Sequence, residues 1–107
     1  MYYSKKDHTF VVCAYGESIY LEECIKSVMN QTVKSQVIMT TSTVNSYIRF
    51  LAEKYGIRLI VNKKRNAGIV EDWNFAYECA ETKLVTICHQ DDIYCEEYVE
   101  WLLKKCN

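Results

Sequence analysis

The 107-residue sequence contains no proline and only three glycines. Interdomain linkers and low-complexity tracts are usually rich in these residues, so their scarcity predicts one continuous domain over residues 1–107. No apolar run approaches the roughly 20 residues that a membrane-spanning helix needs, and the first seven residues lack the apolar centre of a secretion signal. We therefore expect no membrane contact encoded in this segment and a cytoplasmic location.

No charge of one sign dominates the chain. Its 13 basic and 14 acidic residues are intermixed and give a net charge of −1. A nucleic-acid surface or a polybasic membrane patch would need a local excess of Lys and Arg, so we expect no nucleic-acid partner. Half of the residues are hydrophobic, which argues against disorder and is enough for one modest core.

Six cysteines are present, but none forms a Cys-x-x-Cys pair, and several lie within apolar periodic segments. Without a secretion signal, we interpret them as reduced, buried, small hydrophobic residues. A redox role or a zinc site through Cys88, His89 and Cys95 stays open, although this spacing matches no common zinc pattern.

Four short apolar runs alternate with four helical patterns. The runs cover residues 10–14, 37–39, 59–61 and 84–88. They are continuous rather than alternating, which is typical of strands covered on both faces. Strand–helix alternation with short joints favours right-handed crossovers. The sequence therefore predicts the α/β class: a Rossmann-like, three-layer α/β/α arrangement with a mainly parallel four-stranded sheet.

Each helical pattern repeats apolar residues at a spacing of three or four. Ser18 is the predicted N-cap of the first helix; the second starts near Asn45 and stops at Gly56, because glycine tolerates the left-handed end of a helix. We expect the following stripes to face the core: Leu21, Cys24, Ile25, Val28 and Met29; Ile48, Leu51, Ala52 and Tyr55; Ile69, Trp73, Ala76 and Ala80; Tyr98, Val99, Leu102 and Leu103.

The fourth apolar run stops at a polar tetrapeptide, His89-Gln90-Asp91-Asp92. Open α/β sheets bind ligands beyond the carboxyl ends of their strands. Two adjacent carboxylates at such a place are hard oxygen ligands for Mg²⁺ or Mn²⁺, and a divalent ion held there could hold a diphosphate. The alternative is a solvated turn that carries two acids.

A basic joint over residues 62–68 follows the third apolar run and includes Arg65. It also comes after the carboxyl end of a predicted strand. A phosphate contact and a solvated surface loop are equally consistent with it.

Four segments, taken in order, resemble one known family. They are FVVCAYGES at 10–18, where Tyr-Asn-Glu is usual; LEECIKSV at 21–28 with Asn30-Gln31-Thr32; Gly68 followed by Trp73-Asn74-Phe75-Ala76; and the tetrapeptide at 89–92, where an Asp-x-Asp-Asp metal motif is usual. Their order and spacing resemble the nucleotide-binding half of the family 2 glycosyltransferases, inverting enzymes with the GT-A fold. The resemblance covers residues 8–105.

Three features of the sequence depart from the family pattern. Gly16 replaces the usual Asn, and Thr40-Thr41 stands where the family often has an acidic pair that reads the base. His89 replaces the first Asp of the metal motif. Imidazole can ligate Mn²⁺ but suits Mg²⁺ poorly.

The resemblance implies a truncated GT-A fold with strand order 3-2-1-4, which would bring Tyr15 close to Asp91. It implies binding of a nucleotide-diphosphate sugar through Mn²⁺ or Mg²⁺, and transfer to an unknown acceptor that is a saccharide, a lipid or a protein. The metal ligands it implies are Asp91, Asp92 and His89. The nucleotide-binding residues it implies are Ala14, Tyr15, Glu17, Thr40, Thr41, Arg65, Gln90 and Asp91.

Several of these residues have simpler interpretations. Tyr15 fits an exposed turn aromatic, and Glu17 fits a charge that complements a helix dipole. Thr40 and Thr41 fit polar residues at a strand end. We expect Trp73 and Asn74 to pack or to make local hydrogen bonds rather than to contact a ligand.

Full enzymes of this family continue for at least another half-domain, which supplies the acceptor pocket and the general base. We therefore expect a fragment of a longer glycosyltransferase, inactive alone, whose apolar faces favour a homodimer. One alternative is a non-catalytic, doubly wound binding or signalling module such as a phospho-acceptor receiver. A receiver needs acids near its first strand, whereas this strand ends in Ala14-Tyr15-Gly16. A bare structural fragment also stays open.

Overall fold

A computed structural model describes residues 2–107. Within this range, a short 3₁₀ turn at Lys5–Asp7 precedes four strands that alternate with four helices. The elements are β1 (His8–Cys13), α1 (Leu21–Met29), β2 (Gln36–Thr41), α2 (Ser46–Lys54), β3 (Arg58–Val61), α3 (Ile69–Cys79), β4 (Leu84–His89) and α4 (Tyr98–Cys106). Each predicted strand and helix is present, with boundaries that shift by a few residues.

The strands form one parallel sheet with the order β3-β2-β1-β4, as predicted. β1 lies inside the sheet: Val11 is paired with Ile38 on one side and with Ile87 on the other. The chain runs outward from β1 through β2 to β3 and then returns to place β4 on the opposite side. The carboxyl ends of β1 and β4 therefore flank the point where the strand order reverses.

The larger part of the core lies on one face of the sheet. Phe10, Val12, Met39 and Cys88 project from three strands into a cluster with the buried residues of α1, α2 and α4. The ring of Phe10 contacts Tyr94 and Tyr98, with centroids 5.7 Å away in both cases. Helix α3 packs against β1, β2 and β4 and supplies the third layer. Side chains alternate between faces along a strand, so Val11 points to the α3 side.

The ends of α2 follow the predicted signals. The Asn45 side chain accepts a hydrogen bond from the Ile48 amide at 2.8 Å, and Gly56 takes a left-handed conformation (φ 63°) just after the helix. Asn45 also donates from Nδ2 to the Gly16 carbonyl at 2.8 Å. One side chain thus begins α2 and holds the turn that follows β1.

The predicted N-cap of α1 is wrong. The helix begins at Leu21, and the cap residue Tyr20 makes no side-chain cap bond. Ser18 instead belongs to the turn before the helix, where its hydroxyl accepts from the Tyr20 amide at 3.1 Å and donates to Asp91 Oδ1 at 3.3 Å. A residue read as a local helix signal therefore connects two segments that are 73 positions apart.

Two other predictions need correction. In α3, Ala76 is buried, but Ile69 and Trp73 are 62% and 42% exposed. The predicted stripe is therefore buried only in part, and Val70 and Tyr77 are further exposed apolar residues of the same helix. Among the cysteines, all free, Cys24 and Cys88 are buried, whereas Cys95 and Cys106 are exposed and do not serve as core residues.

A buried histidine lies at the amino end of the sheet. His8 is fully buried, its Nδ1 lies 2.7 Å from Ser35 Oγ and its Nε2 lies 2.7 Å from Thr86 Oγ1. The Thr86 hydroxyl continues the network to Tyr98 Oη at 3.0 Å. Burial lowers the pKa of His8 from 6.5 to about 4, because the protonated ring would lose its hydration.

This shift predicts a pH-dependent stability. The unfolded chain binds a proton at His8 near pH 6.5 and the folded chain only near pH 4, so stability falls as the pH drops through that window. The loss is at most about 3 kcal/mol. Urea unfolding at several pH values measures it. The His8→Gln variant should lose the part of the slope between pH 4 and 6.5, whereas His89→Gln, which changes a partly exposed ring, should keep it. Equal slopes in the parent and His8→Gln would contradict the assignment.

Candidate functional site

A cavity of about 420 Å³ opens at the point where the strand order reverses. Three segments form its walls: the end of β1, the first turn of α3 and the turn after β4. Its lining consists of Cys13, Ala14, Tyr15, Gly68, Ile69, Asp72, Trp73, His89, Gln90 and Asp91. Tyr15 and Asp91 thus meet across one cavity, as the strand order implied.

The residues after β4 form a tight turn. The Asp92 amide donates to the His89 carbonyl at 3.0 Å, and the Asp91 amide donates to His89 Nδ1 at 3.4 Å. Asp91 Oδ2 lies 3.7 Å from the same ring nitrogen, and Oδ1 accepts from the Ser18 hydroxyl. About half of the Asp91 side chain remains exposed. The turn therefore presents one carboxylate to the cavity beside an imidazole.

Gln90 connects the two walls of the cavity. Its Oε1 accepts from the Tyr15 amide at 2.8 Å, and its Nε2 donates to the Tyr15 carbonyl at 3.0 Å. The side chain is only 9% exposed. Its amide thus pairs with the backbone beyond β1 much as a neighbouring strand would, and both of its polar groups are occupied. Gln90 lies in the predicted site, but it positions Tyr15.

The β1 wall is shaped by a short turn. The Ala14 amide donates to the Thr40 carbonyl at 2.9 Å, which continues the β1–β2 ladder past the end of the strand. Gly16 has φ 59°, a left-handed conformation in which glycine or asparagine is favoured, and its amide donates to Thr43 Oγ1. The turn leaves Tyr15 61% exposed. Gly16 therefore adopts a left-handed backbone conformation that asparagine also tolerates.

Five of the predicted site residues do not line the cavity: Glu17, Thr40, Thr41, Arg65 and Asp92. Thr40 and Thr41 are buried, and their hydroxyls contact Cys13 Sγ and Thr43 respectively. The other three are exposed. Position at the end of a strand correctly indicated the edge of the sheet, but it did not indicate which side chains reach the opening.

The first turn of α3 contributes residues that the sequence did not assign to a site. Trp73 was expected to pack, yet it lines the cavity and remains partly exposed. Asp72 also lines the cavity, and its Oδ1 is shut off from solvent without a hydrogen-bond partner. An acid in the first turn of a helix is common, because it complements the dipole, so its sequence position alone gave no signal.

Two thiols lie close to the acidic residues of this edge of the sheet. Burial raises the pKa of the Cys13 thiol to about 11; a hydrogen bond with Thr40 opposes this rise, and the charge of Asp72 adds to it. Burial also raises the pKa of Cys24 to about 12, assisted by Asp92 and Asp91. Both thiols therefore stay protonated at neutral pH. The basic side chains near this edge belong to the exposed loop before Gly68, where Lys64 pairs with Glu71 at 2.7 Å.

The donor atoms at the turn suit a divalent ion only in part. Carboxylate oxygens and an imidazole nitrogen are ligands that Mn²⁺ accepts. Across residues 2–107, however, no group of three or more His, Cys, Asp or Glu side chains is arranged to hold a metal ion. The turn therefore contains no preassembled metal cage, and an ion bound here would need further oxygen ligands from another molecule.

Comparison with known proteins connects this geometry to a family. The model of glycosyl transferase family 2 matches residues 9–107. The chain is 26% identical over 104 residues to the minor teichoic acid biosynthesis protein GgaB of Bacillus subtilis, covering 91% of this chain and 12% of GgaB. It is 26% identical over 95 residues to an uncharacterized glycosyltransferase of Haemophilus influenzae, covering 84% of this chain and 29% of that protein. The chain thus spans less than a third of either relative.

Solved structures share the fold. S. aureus TarS 1-349 superposes with a TM-score of 0.80 at 18% sequence identity, over 91% of this chain and 31% of TarS 1-349. The same TarS segment in complex with UDP also gives a TM-score of 0.80. With the family match over nearly the whole chain, these findings confirm the predicted fold and the resemblance. This chain belongs to glycosyl transferase family 2.

Proposed function

We propose that residues 1–107 are the nucleotide-diphosphate-sugar-binding domain of an inverting glycosyltransferase. The observation that carries this proposal is the cavity between β1 and β4, which has the exposed ring of Tyr15 on one wall and the Asp91 carboxylate on the other. Family membership supports glycosyl transfer as the chemistry. Because a TarS structure contains UDP, UDP is the first ligand to test.

In this proposal the nucleoside lies against the β1 wall. Ala14 and Tyr15 face the cavity, and an exposed aromatic ring offers a surface for a base or a ribose. Thr40 acts through its backbone, since its carbonyl holds the Ala14 amide; Thr41 supports the neighbouring turn through its bond with the Thr43 amide. Glu17 is exposed in the turn beyond Tyr15 and would contact the ligand from the rim.

The diphosphate would lie toward the β4 turn. Asp91 would hold Mn²⁺ or Mg²⁺, with Asp92 or His89 as a second ligand and with phosphate oxygens completing the coordination. When bound, such an ion stabilises the negative charge of a departing diphosphate. Arg65, exposed in the basic loop before α3, would contact the phosphates.

In an inverting transfer, an acceptor hydroxyl attacks the anomeric carbon from the face opposite the diphosphate. We propose none of residues 2–107 as the base that activates this hydroxyl. The identity of the acceptor, the homodimer and the cytoplasmic location stay predictions. Among the described residues, no helix is long and apolar enough to cross a membrane. A phospho-acceptor module gains no support, because the β1 end carries Ala14 and Tyr15 rather than acids.

Replacing Asp91 by Asn should weaken Mn²⁺-dependent binding of UDP by more than about tenfold, because a neutral amide is a poorer metal ligand than a carboxylate. Titration calorimetry with and without Mn²⁺ measures the change. Glu53→Gln, which removes the same charge from an exposed position on α2, should bind UDP as the parent does. Parent-like, Mn²⁺-dependent binding by Asp91→Asn would refute the metal assignment.

The His89→Asp variant tests whether the imidazole occupies a ligand position. A carboxylate there should shift the preference of the site toward Mg²⁺, because Mg²⁺ favours oxygen ligands. UDP affinity measured in Mg²⁺ and in Mn²⁺, for the parent and for His89→Asp, gives the ratio directly. An unchanged ratio would mean that His89 only shapes the turn.

Gln90→Met keeps the size of the side chain and removes both hydrogen bonds to Tyr15. Amide exchange at Tyr15 should accelerate, and UDP affinity should fall because the ring is no longer held at the cavity wall. Gln31→Met is the matched control: Gln31 is also buried, and both ends of its amide are bonded to backbone groups, but it does not line the cavity. It should lower stability without changing UDP affinity. Equal UDP affinities for Gln90→Met and the parent would contradict the positioning role.

A further inference from the structure

One polar atom in the cavity wall has no hydrogen-bond partner. Asp72 lies in the first turn of α3, and its Oδ1 is buried and unpaired. In the part of the chain that the structure describes, it is the one buried side-chain oxygen or nitrogen in this condition. Buried polar atoms are nearly always paired in native proteins, so such an atom beside a cavity points to a group that arrives with a ligand.

The surroundings of Asp72 offer little compensation. Within residues 2–107, no ion pair involves Asp72, and Lys64 in the preceding loop pairs with Glu71. The polar neighbour whose titration responds to its charge is the Cys13 thiol, and a thiol is only a weak donor. The helix dipole explains why an acid is tolerated in this turn. It does not explain why one carboxylate oxygen is closed off from water and left without a donor.

The sign of the charge restricts what Asp72 can contact. A carboxylate accepts hydrogen bonds and repels a diphosphate, and the repulsion is stronger in a partly buried site than in water. Because the divalent ion is proposed to lie beside Asp91 at the β4 turn, the contact that suits Asp72 is a neutral group that carries an N–H or an O–H. Asp72 also lies on the wall near Cys13 and Ala14, where the nucleoside is proposed to bind.

We propose that Asp72 is a specificity-determining residue that accepts a hydrogen bond from the nucleoside of the bound nucleotide. This inference rests on the proposed function. The donor is an N–H of the base or a hydroxyl of the ribose, and rotation about Cβ–Cγ brings either carboxylate oxygen toward it. The two carboxylates of the cavity then make different contacts. Asp91 holds the metal ion that binds the diphosphate, and Asp72 accepts a hydrogen bond from the uncharged nucleoside.

The test compares UDP with inorganic pyrophosphate, both in Mn²⁺, by titration calorimetry on the full chain. Asp72→Ala should weaken UDP binding by about tenfold or more, the effect of losing one hydrogen bond to a charged acceptor. It should leave pyrophosphate binding unchanged or make it tighter, because a repelling charge is gone. Asp72→Asn keeps a neutral acceptor and should fall between the parent and Asp72→Ala for UDP.

Two further measurements separate this role from a structural one. Glu78→Gln removes an exposed charge from the same helix outside the cavity and should bind both probes as the parent does. The thermal midpoint of Asp72→Ala should equal or exceed that of the parent, because the substitution removes an unpaired buried oxygen and introduces the best helix former. A variant that is more stable yet binds UDP more weakly has lost a ligand contact and not its fold.

Nucleotide analogues locate the donor. If it is the ring N–H of uracil, the penalty of Asp72→Ala should persist with 2′-deoxy-UDP and shrink with CDP, whose ring nitrogen carries no proton. If it is the ribose 2′-hydroxyl, the penalty should persist with CDP and shrink with 2′-deoxy-UDP. Parent-like UDP binding by Asp72→Ala, or an equal loss for UDP and pyrophosphate, would overturn the role of Asp72 alone. A parent chain that binds none of these nucleotides would overturn the proposed function itself.

Discussion

The parallel pairing of β1 with β4 determines where the candidate site residues lie. These two strands are far apart in the sequence, yet Cys13 is paired with His89 at their carboxyl ends. Every polar residue that follows either strand must then emerge at the same edge. The Gln90 amide extends this pairing by one more step, through its two bonds to the Tyr15 backbone. The strand order therefore determines the position of the cavity, which lies beyond the paired ends of β1 and β4.

The sequence predicted the layers well because burial leaves a strong pattern. Continuous apolar runs marked each strand, and the residues after the first and fourth runs, Tyr15 and Asp91, do share a cavity. The sequence could not predict how far each side chain is buried. Thr40 and Thr41 stand at a strand end, but their hydroxyls turn to protein partners. In α3, spacing predicted an apolar stripe but could not tell whether a further layer covers it, and so Trp73 was assigned to the core.

Stability and binding impose different demands on α3. Its inner side supports the sheet through Ala76, whereas its first turn leaves Trp73 partly exposed and Asp72 with an unpaired oxygen. A helix selected for stability alone would avoid an unpaired buried carboxylate. The His8 network at the opposite end of the sheet satisfies each ring nitrogen with a hydroxyl. Among the described residues, the one buried side-chain oxygen or nitrogen without a hydrogen-bond partner thus lies at the edge of the sheet that contains the cavity.

Asn45 joins the rim of the cavity to the body of the protein. Its Oδ1 begins α2 and its Nδ2 holds the carbonyl of Gly16, in the turn that presents Tyr15. The same turn is tied to the start of α2 twice more, because the Gly16 amide donates to Thr43 Oγ1 and the Tyr47 hydroxyl donates to the Ser18 carbonyl. An outward movement of the turn that carries Tyr15 consequently has to break three hydrogen bonds to residues 43–47, so the β1 wall of the cavity is braced by the segment that begins α2.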